Sequence, residues 1–459
     1  MILKKNISKV IFIFFASHLI LWTLIPSFTN TNLPLDTIEA LAWSSKLEWG
    51  YYKHPPLSAL VVEINYFIFG THDWAYYLLS QLFVLISFLY VWKLSKEFFN
   101  GGLYPLLSIL ILESIVFFNY TTPEFNVYVC QLPFKALTVY FFWKSINHDN
   151  IGDWLMTGVF SALGTLTHYS FLFLIFGLLV YFLFFVEKNQ NLIKNFLVSF
   201  LSFFIICFPH IIWLFENNFS SIYYAFDRAG IQNKNWLSHF YNPVVFLLKQ
   251  IGLMSLFVIL FFSIYRLNRK KINLFKFDKK KLFLICISII PFLTVLLVSL
   301  ITGSKIRTMW MSTFYLFNGL LVFYYFQQKI NIKRLKYFFS IFIIIFITSP
   351  ITYAYVSISN DYKRTDYPGR EIAILVQDKW NKNFNNEIKI VVGDEWSAGN
   401  LSYHLSSRPI WFNNFKGQVS KVDPNKGVVY TGNPKILQKV CPGVFGTIKP
   451  VGYCMIGKK

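Results

Sequence analysis

Apolar runs of about 20 residues recur along this chain, each long enough to cross roughly 30 Å of hydrocarbon. They leave few folds open. Inside a bilayer every backbone N–H and C=O must find its partner within the protein, so each run reads as a helix. Eleven spans are expected, near residues 9–27, 75–95, 103–120, 127–144, 152–168, 170–186, 195–215, 243–265, 282–301, 309–328 and 337–356. Of 459 residues, 55% are hydrophobic and 14% are charged, where a soluble domain carries about a quarter charged. The first span follows Lys4, Lys5 and Lys9, as in a signal peptide. No small-x-small cleavage site follows it, so it is read as an uncleaved span.

The net charge of +21 suggests nucleic acid until the charges are placed. One set of loops holds Lys4, Lys5, Lys9, Lys93, Lys96, Lys144, Lys188, Lys194, the basic cluster at 266–281 and Lys329, Lys333, Arg334 and Lys336. The other set holds Lys46, Lys53, Arg228, Lys234, Lys305 and Arg307. Lysine-rich loops stay cytoplasmic. The charge is therefore a topology signal with some attraction to anionic membrane lipids, and no nucleic-acid partner is expected. Residues 28–74, the turn at 121–124, the 216–242 loop, the 305–307 loop and the polar tail then face outward.

That tail, 357–459, changes character. Short strands are read at 387–393, 408–412 and 427–430, with a helix at 396–405, giving a small α/β domain. Cys130, Cys207 and Cys286 lie in apolar runs and read as packing residues. Cys441 and Cys454 lie in the tail, where a disulfide is possible if the tail is outside the cytoplasm.

The outward side collects the unusual polar residues. Asp36 and Glu39 share one face if their stretch is helical, and a carboxylate there suits deprotonating or positioning an acceptor. The competing reading is acids at a helix N-terminus. Lys53-His54 before Pro55-Pro56 suits a departing phosphate, against a plain snorkelling lysine. Glu124 is a further carboxylate at the membrane edge. Glu113 lies inside the third span, where an ionisable residue is a functional suspect or an internally bonded structural acid; Lys135 or Lys249 is its expected partner. His168 and Tyr169 close the fifth span, and His210 reads as structural. Arg228, Lys305 and Arg307 sit where topology disfavours basic residues, and an anion such as a lipid phosphate explains them. No Walker loop, GxGxxG, HExxH or CxxC stands in the chain. No cofactor or metal site is read.

Leu35-Asp36-Thr-Ile-Glu39-Ala-Leu-Ala-Trp43 followed by Gly50-Tyr51-Tyr52-Lys53-His54-Pro55-Pro56-Leu57 resembles the first outer loop of bacterial membrane glycosyltransferases of the protein O-mannosyltransferase and lipid A aminoarabinose-transferase type, in the glycosyltransferase-C superfamily. Thr122-Pro123-Glu124 is similar to that family's Thr-Pro-Asp turn. Thr167-His168-Tyr169-Ser170 is similar to its Lys-Tyr-Thr pattern, with His where Lys is usual. Pro209-His-Ile-Ile-Trp213 and Gly303-Ser-Lys-Ile-Arg307-Thr-Met-Trp310 also fit, as does the tail with Asp394, Ala398 and Arg408-Pro409.

The resemblance implies a transmembrane domain at 1–356, with a catalytic outer loop at 28–74, and a periplasmic α/β domain at 357–459. It implies an inverting transfer of one sugar from a polyprenyl-phosphate donor to a periplasmic acceptor, lipid A or LPS foremost, in the bacterial inner membrane. Asp36 maps to the catalytic carboxylate, with Glu39 the second candidate. Lys53, His54, His168, Tyr169, Arg228, Lys305 and Arg307 are the expected donor-phosphate contacts. Glu124, Tyr52 and Glu113 are the expected acceptor or sugar contacts. A protein acceptor is the alternative. A transporter would show repeated halves and broken helices, and neither is read. A monomer is the default.

Overall fold

The structure, a computed structural model, describes residues 2–230, 235–266, 278–413, 424–448 and 451–459, with side chains from Asn6 onward. Lys234, Arg269, Lys270, Lys271 and Lys276 of the basic loops lie outside the described residues. The chain begins with α1 (Ile2–Thr29), then two helices of the outer loop, α2 (Leu35–Ser44) and α3 (Leu57–Phe69). The bundle continues as α4 (Asp73–Phe98), α5 (Leu103–Leu110), α6 (Val127–His148), α7 (Ile151–Thr167), α8 (Phe171–Phe185) and α9 (Gln190–Glu216). Next come α10 (Ser220–Arg228), α11 (Ser238–Leu253), α12 (Ser255–Ile264), α13 (Lys279–Thr302), α14 (Asn318–Phe326) and α15 (Leu335–Ser359).

Five helices among the described residues are long and apolar enough to cross a membrane, or six if the bent pair α11–α12 counts as one. Helix α1 packs on α4 and α15, and α6 packs on α4 and α7. Outward faces stay apolar, with Phe12, Phe67, Ile205 and Ile301 among the large side chains left exposed. A polytopic membrane protein follows from these helices; the expected count of eleven crossings does not.

Each expected span meets helical backbone, but three are broken, contrary to the sequence reading. Helices α11 and α12 meet at 48°. The third span stops as an α-helix at Leu110 and continues as 3-10 turns at Ile111–Ser114 and Val116–Phe118. There Ser114 Oγ donates to the Ile111 carbonyl at 2.6 Å and Asn119 Nδ2 to the Glu113 carbonyl at 2.5 Å. Side chains thus satisfy carbonyls that the broken helix frees. The tenth span begins as a 3-10 helix, Thr308–Phe317.

The two sets of loops separate to opposite ends. At one end Lys279 pairs with Glu187 at 2.8 Å, Lys280 donates to the Glu97 carbonyl, and Arg266 N–H donates to the Lys329 carbonyl at 2.8 Å. At the other end sit α2, α3, α10 and the tail. The tail forms α16 (Gly369–Asn381), β1 (Ile390–Val392), α17 (Ser397–His404), β2 (Ile410–Phe412), β3 (Val428–Gly432), α18 (Pro434–Val440), β4 (Val444–Ile448) and β5 (Val451–Ile456). Its sheet runs β2-β1-β3-β5-β4, parallel in the first three and antiparallel in the last pairings. The sequence reading caught β1, α17, β2 and β3 and missed the rest. Cys441 and Cys454 are joined in a disulfide, with Cα atoms 5.6 Å apart.

The tail docks on α2. A Cβ on Gly399 would stand 3.1 Å from Ala42 Cβ and 3.2 Å from Ile38 Cγ2, so α17 meets α2 at glycine-to-alanine distance. Arg408 donates to Glu63 Oε2 at 2.8 Å, the Leu41 carbonyl at 2.7 Å and Ser44 Oγ at 3.1 Å. Asn32 and Asn400 bond at 2.8 Å, and Tyr403 donates to Asp73 Oδ1 at 2.7 Å.

Candidate active site

Between the bundle and the tail lies a cavity of about 880 Å³. Helix α2 supplies Asp36, Glu39 and Trp43 to its wall, one helical turn apart, because leucine, isoleucine and alanine occupy the positions between and bury the opposite face. The segment after α2 adds Lys53 and His54, held by Pro55-Pro56. Glu124 enters from the loop before α6, and Asn126 caps that helix by accepting from the Tyr128 and Val129 N–H groups at 3.0 Å each. Arg228 ends α10, Arg307 precedes the Thr308–Phe317 turns, and Lys363 and Arg364 follow α15. Leu172, Phe173, Val295, Met311 and Phe314 make an apolar wall that runs down among the spans.

Three carboxyl groups, Asp36, Glu39 and Glu124, and five cationic groups, Lys53, Arg228, Arg307, Lys363 and Arg364, line the cavity. Asp36 N–H donates to Glu124 Oε1 at 3.0 Å. Lys53 Nζ donates to Glu39 Oε2 at 2.6 Å and to Glu395 Oε2, from the tail, at 2.8 Å. Burial pushes the Asp36 carboxyl above its usual range, against the pull of Lys53, Arg364 and Arg228. Burial, then Glu395, push Glu39 up to about 7 while Lys53 pulls it down. Burial, then Asp36, push Glu124 up to about 8. Burial works against the Lys53 ammonium, but Glu39 and Glu395 outweigh it and hold the group above its ordinary value. Carboxyls tuned toward neutrality can exchange a proton near neutral pH.

The two histidines are members of an aromatic wall. Ring centroids stand 5.3 Å apart for His54 and His168, 5.0 Å for Tyr128 and His168 and 5.8 Å for Trp43 and His54. Burial, with His168 and Lys53 adding to it, lowers His54 well below its usual range. His168 Nδ1 accepts from the Ser170 N–H at 3.1 Å. His54 therefore meets a phosphate at neutral pH as a neutral ring. Tyr169 lines the cavity and bonds His210 Nε2 at 3.0 Å and Ser221 Oγ at 2.7 Å. His210 Nδ1 in turn donates to the Trp49 carbonyl at 2.6 Å, tying α9 and α10 to the outer loop.

Of the residues expected from sequence, Asp36, Glu39, Lys53, His54, Glu124, His168, Tyr169, Arg228 and Arg307 line the cavity. Tyr52, Lys305 and Glu113 do not. Tyr52 is 57% exposed, its ring edge-on to Tyr224. Lys305 points outward, although its N–H donates to the Ala229 carbonyl at 2.8 Å and so holds the two arginine-bearing loops together. Glu113 is buried in the bundle against His18, Oε2 to Nδ1 at 3.1 Å. Its partner is neither Lys135, which stacks on the Phe314 ring at 3.5 Å, nor Lys249, which is exposed. Arg364, Tyr128, Tyr224 and Glu395 were missed; all but Glu395 line the cavity. Tyr128 sits one turn beyond the quoted Thr-Pro-Glu turn, while Arg364 and Glu395 carry no local signal. Among the described residues, no three His, Cys, Asp or Glu side chains are grouped to hold a metal ion.

The apo structure of ArnT from Cupriavidus metallidurans aligns over 97% of this chain and 98% of that one, with a TM-score of 0.54 and 12% identity. The chain shares the fold of that protein. Residues 53–213 match the family described as dolichyl-phosphate-mannose-protein mannosyltransferase. The lipid A galacturonosyltransferase RgtD of Rhizobium johnstonii is 23% identical over 267 residues, 54% of this chain and 53% of that protein. The chain therefore spans about half the length of this curated relative. The resemblance read from the sequence is borne out by these likenesses, and the fold brings Asp36, Glu39, Trp43, Lys53 and His54 to the cavity.

Proposed function

We propose that this chain is an inverting glycosyltransferase. It moves one sugar from a polyprenyl-phosphate donor to a periplasmic acceptor, with lipid A or LPS foremost. The observation that carries the reading is a single cavity with Asp36, half-buried, facing Arg228, Arg307 and Lys53 above an apolar wall. The apolar wall suits a prenyl tail. The cations suit its phosphate and the carboxyls suit the sugar and acceptor.

In the transfer, the acceptor oxygen attacks C1 of the sugar as the bond from C1 to the phosphate oxygen breaks. The bonding pair leaves with the phosphate, where Arg228, Arg307 and Lys53 stabilise the growing charge. The hydroxyl proton of the acceptor passes to Asp36. If the acceptor is itself a phosphate, no proton moves and Asp36 positions it. Glu124 holds the first turn of α2 and so the Asp36 carboxyl. Glu39, tied to Lys53, sets the lysine rather than acting on the acceptor.

The placement proposed is a bacterial inner membrane, with residues 1–356 spanning it and 357–459 in the periplasm. The lysine-rich end of the bundle and the Cys441–Cys454 disulfide support that orientation. The test is the lipid A mass spectrum of cells with and without the protein. Loss of one sugar-sized increment, absent also in cells carrying Asp36→Asn, supports the reading. An unchanged spectrum removes lipid A as the acceptor, and a glycoprotein hydroxyl takes its place.

A further inference from the structure

Lys53 enters the cavity already neutralised. Its ammonium lies 2.6 Å from Glu39 Oε2 and 2.8 Å from Glu395 Oε2, and the three side chains are 19%, 11% and 17% exposed. Two carboxylates on one ammonium leave a net negative group. A phosphate arriving there meets repulsion instead of attraction. The two carboxylates are not equally fixed. Glu39 lies mid-way along α2, between the bundle and the tail. Glu395 sits in the turn between β1 and α17, outside both. Asp394 caps α17 there, accepting from the Trp396 N–H at 2.9 Å and from the Ser397 hydroxyl at 2.9 Å, and leaves Glu395 directed away from the domain onto Lys53. The contact joins residues 342 positions apart.

We propose that Glu395 is an anion of the C-terminal domain that competes with the donor phosphate for Lys53, so that the Lys53–Glu395 pair opens when the donor binds. This rests on the reading of Lys53 as a donor-phosphate contact. The pair keeps the Lys53 ammonium occupied while no donor is bound. It also couples donor binding to the docking of the tail, because the turn that releases Lys53 belongs to the domain that covers α2.

The experiment measures binding of a short-chain prenyl phosphate to the purified full chain in detergent, read by tryptophan fluorescence. Glu395→Gln keeps the size of the side chain and removes the competing charge. It is expected to bind about fivefold tighter or more. Glu395→Asp, whose shorter reach loosens the pair while keeping the charge, moves in the same direction by less. It serves if the glutamine variant fails to fold. A merely structural contact gives the opposite sign, since loosening the tail weakens binding. Unchanged or weaker binding in a folded variant therefore overturns the proposal. Lys53→Met separates this from the underlying reading. If it binds like the parent, Lys53 is not a phosphate contact and both fall. If it loses binding while Glu395→Gln gains nothing, only the competition falls.

Discussion

The backbone N–H of Asp36 donates to the carboxylate of Glu124, 88 residues further along the chain. Helix α2 starts after Pro34 with no side-chain cap of its own, so Glu124 serves as one from outside. Removing a cap costs about 1 kcal/mol. Glu124→Ala is therefore expected to lower the thermal midpoint and to slow transfer. Glu124→Gln keeps an accepting oxygen and is expected to retain most of both.

The same carboxyl gives a pH dependence of stability. Glu124 stands near 8 in the folded chain, above its ordinary 4.5. A raised acid contributes stability that is complete below about pH 4.5 and is lost as pH rises through 8. The midpoint of the parent is expected to fall between pH 5 and pH 8, and Glu124→Gln to fall less. Equal slopes for the two proteins would mean that Glu124 ionises normally.

Asp36→Asn tests the transfer chemistry. Loss of a general base costs about a hundredfold to ten-thousandfold in rate. The variant is expected to express and fold, because the Asp36 bond to Glu124 runs through its backbone N–H. Transfer at the parental rate would remove Asp36 from the mechanism.

Arg408 tests the docking of the tail. Its guanidinium reaches Glu63, Ser44 and the Leu41 carbonyl. Arg408→Ala leaves those acceptors unpaired, at roughly 1–3 kcal/mol. Limited proteolysis is expected to cut sooner near residues 360–368, releasing the tail while the bundle stays intact.

The disulfide belongs to the tail alone. Closing a loop of this size stabilises a domain by about 3 kcal/mol. Reductant, or Cys441→Ser with Cys454→Ser, is expected to lower unfolding of the tail without moving the helical transition. Circular dichroism of the two transitions reads this.

What the sequence made legible was local. Twenty-residue apolar runs announce helices, and the Asp36/Glu39 spacing on an amphipathic turn announces a face. Loop lysines sorted the ends of the bundle, which then brought Arg228 and Arg307 to the side where Asp36 lies. Illegible features depended on distant partners. The sequence matches Glu113 to a lysine, whereas its partner is His18, 95 residues earlier. The sequence does not display the burial that lowers the His54 ring's affinity for a proton. Arg364 and Glu395 gave no sign at all, since their effect on Asp36 and Lys53 exists only once the tail has folded back. Lys305 stood beside Arg307 in the chain, yet its side chain points the other way.

The close fit of Gly399 on Ala42 has a consequence for how the protein is made. Helix α2 leaves the ribosome among the first tenth of the chain, while α17 and Arg408 emerge near its end. Synthesis proceeds at about 5–20 residues per second. The helix bearing Asp36 must therefore wait many seconds with its α17-facing side bare. A nascent or truncated chain has the acid but lacks the domain that packs on its helix, so α2 reaches its final seat only when α17 and Arg408 have been made and have closed over it.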